Sequence, residues 1–137
     1  MGKTISHYEV HGTIVSGERL GKKIGFPTLN IRYSKKPLLD FGVYACIIQL
    51  PRFQKKAIRG IMYFGAKSVG ENKGIILEVH ALPHNIPERR IIEKITHNDE
   101  ISLKIGTFIR PPQEFSSLTS LKKQIADDIH KLTDDDV

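Results

Sequence analysis

A chain of 137 residues, 39% hydrophobic and 26% charged, has the size and balance of one soluble globular domain. No run approaches the roughly 18 apolar residues of a membrane span, and the start "MGKTISHYEV" has no apolar core of signal-peptide length. The net charge of +6 suits a phosphate-bearing ligand, a nucleic acid or a plain solvated surface, so charge selects no function by itself.

The first element, "HYEVHGTIV" (7–15), alternates with Val10 and Ile14 on one side and reads as a strand. The preceding Met-Gly-Lys-Thr-Ile-Ser fits the loose myristoylation pattern, which many unmodified chains match by chance. The connection "SGERLGKKIG" (16–25) spaces Gly17, Gly21 and Gly25 four apart, with Arg19, Lys22 and Lys23 between them. Glycines let backbone N–H groups approach a ligand closely, and a nest of such donors suits phosphate oxygens. It is not a Walker A loop, because Glu18-Arg19 stand where Lys-Ser/Thr is required. An ordinary flexible turn is the alternative reading.

In "FPTLNI" (26–31) an extended backbone points Thr28 and Asn30 one way and Leu29 and Ile31 the other. Pro27 has no N–H and fixes φ, so this segment cannot be a fully paired central strand. A hydroxyl and an amide oxygen side by side form a hard-oxygen pair of the kind Mg²⁺ takes when substrate phosphates and water complete its shell. The alternative is that both only satisfy a turn's backbone groups.

"GVYACIIQL" (42–50) is apolar on both faces and holds the lone Cys46. One cysteine excludes an internal disulfide and a zinc framework; a small core side chain in a reducing compartment, the cytoplasm, is expected. "AIRGIMYFG" (57–65) and "GIILEVHAL" (74–82) are further strands. In the latter Glu78 shares a face with Ile76 and His80, so its carboxylate is either solvent-facing or set in a cleft as a proton acceptor. His80 and His84 are four apart, but the segment that holds them reads as strand and turn, through Pro83 and Pro87, so they form no helical metal pair. "EISLKIGTFI" (100–109) alternates again.

The one helix expected is the last element. From Ser116 to Leu132, Leu118, Leu121, Ile125, Ile129 and Leu132 make one apolar stripe, with Ser116 or Ser117 as cap. Lys122, Lys123, Asp127, Asp128 and Lys131 lie opposite it, and the Asp127-Asp128 pair reads as solvated. The tail "TDDDV" (133–137) places negative charge near the helix C-terminus and is expected to fray. Short strands without a long helix between them imply an antiparallel barrel or sandwich.

In order, "VHGTIVSGERLGKKIGFPTLNI", "FGVYA" (41–45), "LEVH" and "FIRPPQEFSSLTSLKKQIADDI" resemble the riboflavin kinase (flavokinase) family over nearly the whole chain. "GFPTLN" is similar to the family's Gly-Phe/Tyr-Pro-Thr-Ala-Asn signature, with Leu29 in place of alanine. The terminal pattern is matched by Arg110, Glu114, Phe115, Ser117, Leu121, Gln124, Ile125 and Asp128. The resemblance implies a mainly β fold, a six-stranded antiparallel Greek-key barrel (about 5–110) with a C-terminal helix packed on it. It implies transfer of the ATP γ-phosphoryl group to the 5′-hydroxyl of riboflavin, giving FMN and ADP. By the same resemblance Thr28 and Asn30 would hold Mg²⁺ and phosphate oxygens, and Glu78 would be the catalytic base. Gly17, Arg19, Gly21, Lys22 and Gly25 would close over the nucleotide, Pro27 would belong to the same cofactor-binding stretch, and Arg110 would close the flavin side. The segments 64–74 and 81–95 depart from the family's usual turns around nucleotide and flavin. No adenylyltransferase His-x-Gly-His signature is present, so the expected product is FMN and not FAD. A monomer with no nucleic-acid or membrane partner is expected. The alternatives are a non-catalytic flavin- or nucleotide-binding module and a basic barrel that binds RNA.

Overall fold

Strands with one apolar face need a closed or covered sheet, and here the sheet closes on itself. The computed structural model describes residues 8–15, 27–54, 56–67 and 74–132. Six strands, β1 (Tyr8–Val15), β2 (Thr28–Tyr33), β3 (Gly42–Leu50), β4 (Lys56–Ala66), β5 (Ile75–Ala81) and β6 (Glu100–Arg110), form a closed barrel in the order β1-β2-β5-β4-β3-β6. Every pairing is antiparallel. Closure leaves no exposed edge, which open antiparallel sheets must protect by other means.

The alternating strands bury one face each: Val10 and Ile14 of β1 and Ile101, Leu103 and Ile105 of β6 all join the interior core. Each such aliphatic side chain contributes about 1.5–3 kcal/mol through burial. Gly12 sits between Val10 and Ile14, where a Cβ would lie 2.3 Å from the Arg32 carbonyl oxygen on β2. The glycine therefore permits the close β1–β2 approach.

β3 and β4 are apolar on both faces for a separate reason. Cys46, Ile48, Ile58 and Met62 fill the barrel, while Val43, Ile61 and Tyr63 are buried on its outside. The outer layer is covered by a C-terminal helix, Leu118–His130, which is capped by the Ser117 side chain accepting from the Ser120 N–H. Its stripe packs as expected: Leu121 and Ile125 are buried, and Ile129 joins the Val43–Ile61–Tyr63 layer. His80, on the outer face of β5, is enclosed beneath the same helix and is 4% exposed.

A second helix, in the segment 81–95, corrects the expectation of a single one at the C-terminus. α1 spans Ile86–Lys94 and precedes the C-terminal helix, α2. Asn85 caps it by accepting from the Glu88 N–H at 2.9 Å, and Glu88 reaches back to the His84 N–H at 3.2 Å. Pro87 lies in the first turn, where its missing N–H costs no helical bond. Ile91 and Ile92 then pack against the barrel core. At the far end Arg52 grips Asp99 through two bonds of 2.8 and 2.9 Å and also donates to the Lys94 carbonyl, joining α1's exit to the barrel.

Two stability outcomes follow. Gly12→Ala is expected to cost about 1–3 kcal/mol by overpacking, read from urea unfolding. Burial lowers the His80 pKa from its ordinary 6.5 to about 4, against the smaller opposing pull of the Asp128 charge. The unfolded chain thus binds a proton that the folded one refuses, so this group's contribution is intact above pH 6.5 and is lost as pH falls towards 4. His80→Gln is expected to flatten the pH dependence of melting in that window; an unchanged slope would exclude His80 as its source.

Candidate active site

Strand pairing assembles the site. Across β2 and β5, Asn30 stands opposite Glu78 and Thr28 opposite His80. Directly paired residues project from the same face, so these four form a two-by-two block on the outside of the barrel. Leu29 and Val79, paired between them, point into the core. Thr28 Oγ1 lies 3.1 Å from His80 Nδ1. Thr28, Asn30 and Glu78 are half-buried. The three oxygen-bearing side chains singled out in the sequence are therefore brought together, and Leu29 is directed away from them.

The setting favours a proton acceptor at Glu78. Burial pushes its carboxyl above the usual range, and the Lys67 charge only partly opposes this. Tyr63 is its partner on β4; burial and then the Glu78 charge push the phenol upward, while Arg110 pulls the other way. A carboxylate with raised basicity, partly withdrawn from water, is suited to take a proton from a bound alcohol.

Arg110 closes one end of this face. Its Nε donates to both carboxylate oxygens of Asp128 on α2, at 3.0 and 3.1 Å, and Gln124 donates to the same carboxylate at 3.0 Å. The guanidinium carbon lies 5.8 Å from the centre of the Phe115 ring. Tyr63, Glu78, His80, Arg110 and Asp128 share the wall of a cavity of about 20 Å³, room for about one water molecule. Asp128 is 1% exposed, which overturns the expectation that the Asp127-Asp128 pair is solvated; only Asp127 faces water. The helix stripe is wider than the leucines and isoleucines indicate, because an ion pair extends it.

The opposite end opens into a cleft of about 910 Å³, lined by Pro27, Arg59, Leu82, Pro83, Ile92 and Ile129 among others. Successive outward residues lead there: Tyr63 and Glu78, then Ile61 and His80, then Arg59 and Leu82. The cleft thus begins one step beyond Thr28. α1, missed in the sequence, supplies Arg89, Ile92 and Glu93 to its wall. Its detectable signal was Asn85-x-x-Glu88 followed by Ile91 and Ile92.

Among the described residues no group of three or more His, Cys, Asp or Glu could hold a metal. The oxygens of Thr28 and Asn30, beside the Glu78 carboxylate, are still a fitting donor set for a hard divalent cation completed by phosphates and water. Gly17, Arg19, Gly21, Lys22 and Gly25 lie outside the described residues, as do most of the divergent 64–74 turn and the 133–137 tail. Lys67, at the near end of that turn, is within electrostatic reach of Glu78. His80, set aside with the other histidines in the sequence, is in the block itself.

The chain is similar to known proteins over most of its length. The family model described as riboflavin kinase matches residues 4–134. A bifunctional riboflavin kinase/FMN adenylyltransferase of Buchnera aphidicola is 32% identical over 124 residues, covering 89% of this chain and 36% of that protein. The Escherichia coli enzyme of the same name is 30% identical over 88% of this chain and 36% of its own. The RNA-binding riboflavin kinase RibR of Bacillus subtilis is 33% identical over 88% of this chain and 47% of its own. The chain thus spans between about a third and a half of these relatives. A crystal structure of a macrolide-efflux protein from Streptococcus pneumoniae superposes with a TM-score of 0.70 at 21% identity, over 91% of this chain and 38% of that one, a likeness of fold alone. With the family model matched over nearly its full length, the chain belongs to the riboflavin kinase (flavokinase) family.

Proposed function

We propose that this chain transfers the γ-phosphoryl group of ATP to the 5′-hydroxyl of riboflavin, yielding FMN and ADP. Family membership supports the reaction, and one observation carries the site: Asn30 faces Glu78 across β2 and β5, with Thr28 beside them. Phosphoryl transfer asks a protein mainly for alignment and charge neutralisation. Glu78 accepts the proton of the ribityl hydroxyl as its oxygen attacks phosphorus. Thr28 and Asn30 hold Mg²⁺, which supplies neutralising charge to the nucleotide phosphates. Pro27 and the apolar walls of the 910 Å³ cleft take the nucleotide base, a volume within the usual range for such ligands. Gly17, Arg19, Gly21, Lys22 and Gly25 cover the phosphates, and Arg110 borders the flavin.

This reading places the protein in the cytoplasm, in keeping with a single buried free thiol at Cys46. Among the described residues no helix is long and apolar enough to cross a membrane. The monomeric chain requires no nucleic acid for turnover. The RNA-binding name of the B. subtilis relative and the net charge of +6 give the second reading a defined test. FMN formation without RNA supports the kinase; a salt-sensitive shift of labelled RNA with no FMN formed would establish the other.

Glu78→Gln is expected to lower kcat by about 10²–10⁴-fold in a riboflavin-to-FMN assay while circular dichroism is unchanged; full turnover would remove Glu78 as the base. Thr28→Ala is expected to raise the Mg²⁺ concentration needed for half-maximal rate. An unaltered metal titration would take Thr28 out of the metal shell.

A further inference from the structure

Asp128 is a carboxylate almost wholly withdrawn from water, and such a group is stable only when fully paired. Its partners come from two elements, Arg110 at the end of β6 and Gln124 one turn earlier on α2. The pairing is edge-on. Asp128 takes the Nε side of Arg110, and Nη1 donates to the Pro111 carbonyl at 3.2 Å. Nη2 makes no hydrogen bond among the described residues, although the side chain is only 12% exposed. A guanidinium is rigid and planar, so holding it by Nε fixes where its remaining donors point. Those donors belong to a side chain that lines the same cavity as Glu78.

We propose that Asp128 is a positioning residue: from α2 it holds Arg110 by the Nε edge, so that Nη2 meets hydrogen-bond acceptors of the flavin. The inference rests on the riboflavin kinase reading and adds a task for the C-terminal helix, which also covers the barrel and lines the cleft through Ile129. Gln124 supports the carboxylate from the same helix face.

The test measures flavin binding without turnover, as quenching of riboflavin fluorescence by the full chain with ADP and Mg²⁺, alongside the KM for ATP. Wild-type protein is expected to quench; failure to bind riboflavin at all would overturn the kinase reading and this inference with it. Asp128→Asn is expected to weaken riboflavin binding about tenfold, the scale of one charge-assisted hydrogen bond, with the KM for ATP changed by less than about twofold. In an Arg110→Ala background the same change is expected to add nothing, since the group being positioned is gone. Unaltered riboflavin affinity in Asp128→Asn, equal loss of both substrates, or full additivity with Arg110→Ala would each overturn the role. Should Asp128→Asn not fold, Gln124→Leu decides: weaker riboflavin binding by the folded variant supports the role, and wild-type binding rejects it.

Discussion

The antiparallel pairing of β2 with β5 joins segments far apart in the chain, and the site exists only because of its register. Thr28 and His80 touch across 52 positions of sequence. A slip of one residue would send Thr28 and Asn30 inward and Leu29 outward, since side chains alternate along a strand. Leu29, Ile31, Leu77 and Val79 prevent the slip by filling the barrel. The apolar core thus sets the polar site: one face of each strand is committed to burial, and the other is left in a fixed position for chemistry.

That outer face is not bare. α2 covers part of it, and the cover gives its polar residues their electrostatic character. Beneath it His80 loses water and stays neutral well below its ordinary range, while burial raises Glu78. Asp128 neutralises the Arg110 guanidinium within the same enclosure. A solvated strand with the same residues would hold an ordinary carboxylate and an ordinary imidazole. The helix therefore shapes this face through exclusion of water as well as through packing.

The two helices also bound the site from different sides. α2 carries Asp128, paired with Arg110, and next to it Ile129, which lines the large cleft. α1 forms another wall of that cleft, anchored by the Asn85 cap at one end and the Arg52–Asp99–Lys94 junction at the other. Arg52 and Asp99 are partly solvated, so this junction adds orientation more than stability. The large cleft and the small cavity that holds Glu78 and Arg110 both lie between the barrel's outer face and α2.

Much of this was legible in the order of residues. Period-two alternation named the 7–15 and 100–109 strands, since burial of one face demands it, apolar runs between turn signals named others, and a 3/4 spacing named the last helix. Thr28, Asn30 and Glu78 stood out because short polar groups interrupt apolar runs only at some cost in burial. The sequence alone could not distinguish Asp127, in water, from Asp128, enclosed, because adjacent positions on a helix differ by only about 100° and the stripe's edge is set by what packs there. The 86–94 helix was hidden by Pro83 and Pro87, whose meaning depends on whether a backbone N–H is needed at that point. What the chain determined by itself was which faces must be buried. Only the tertiary structure decided which polar groups share an enclosure, because that depends on strand register and helix docking between residues distant in sequence.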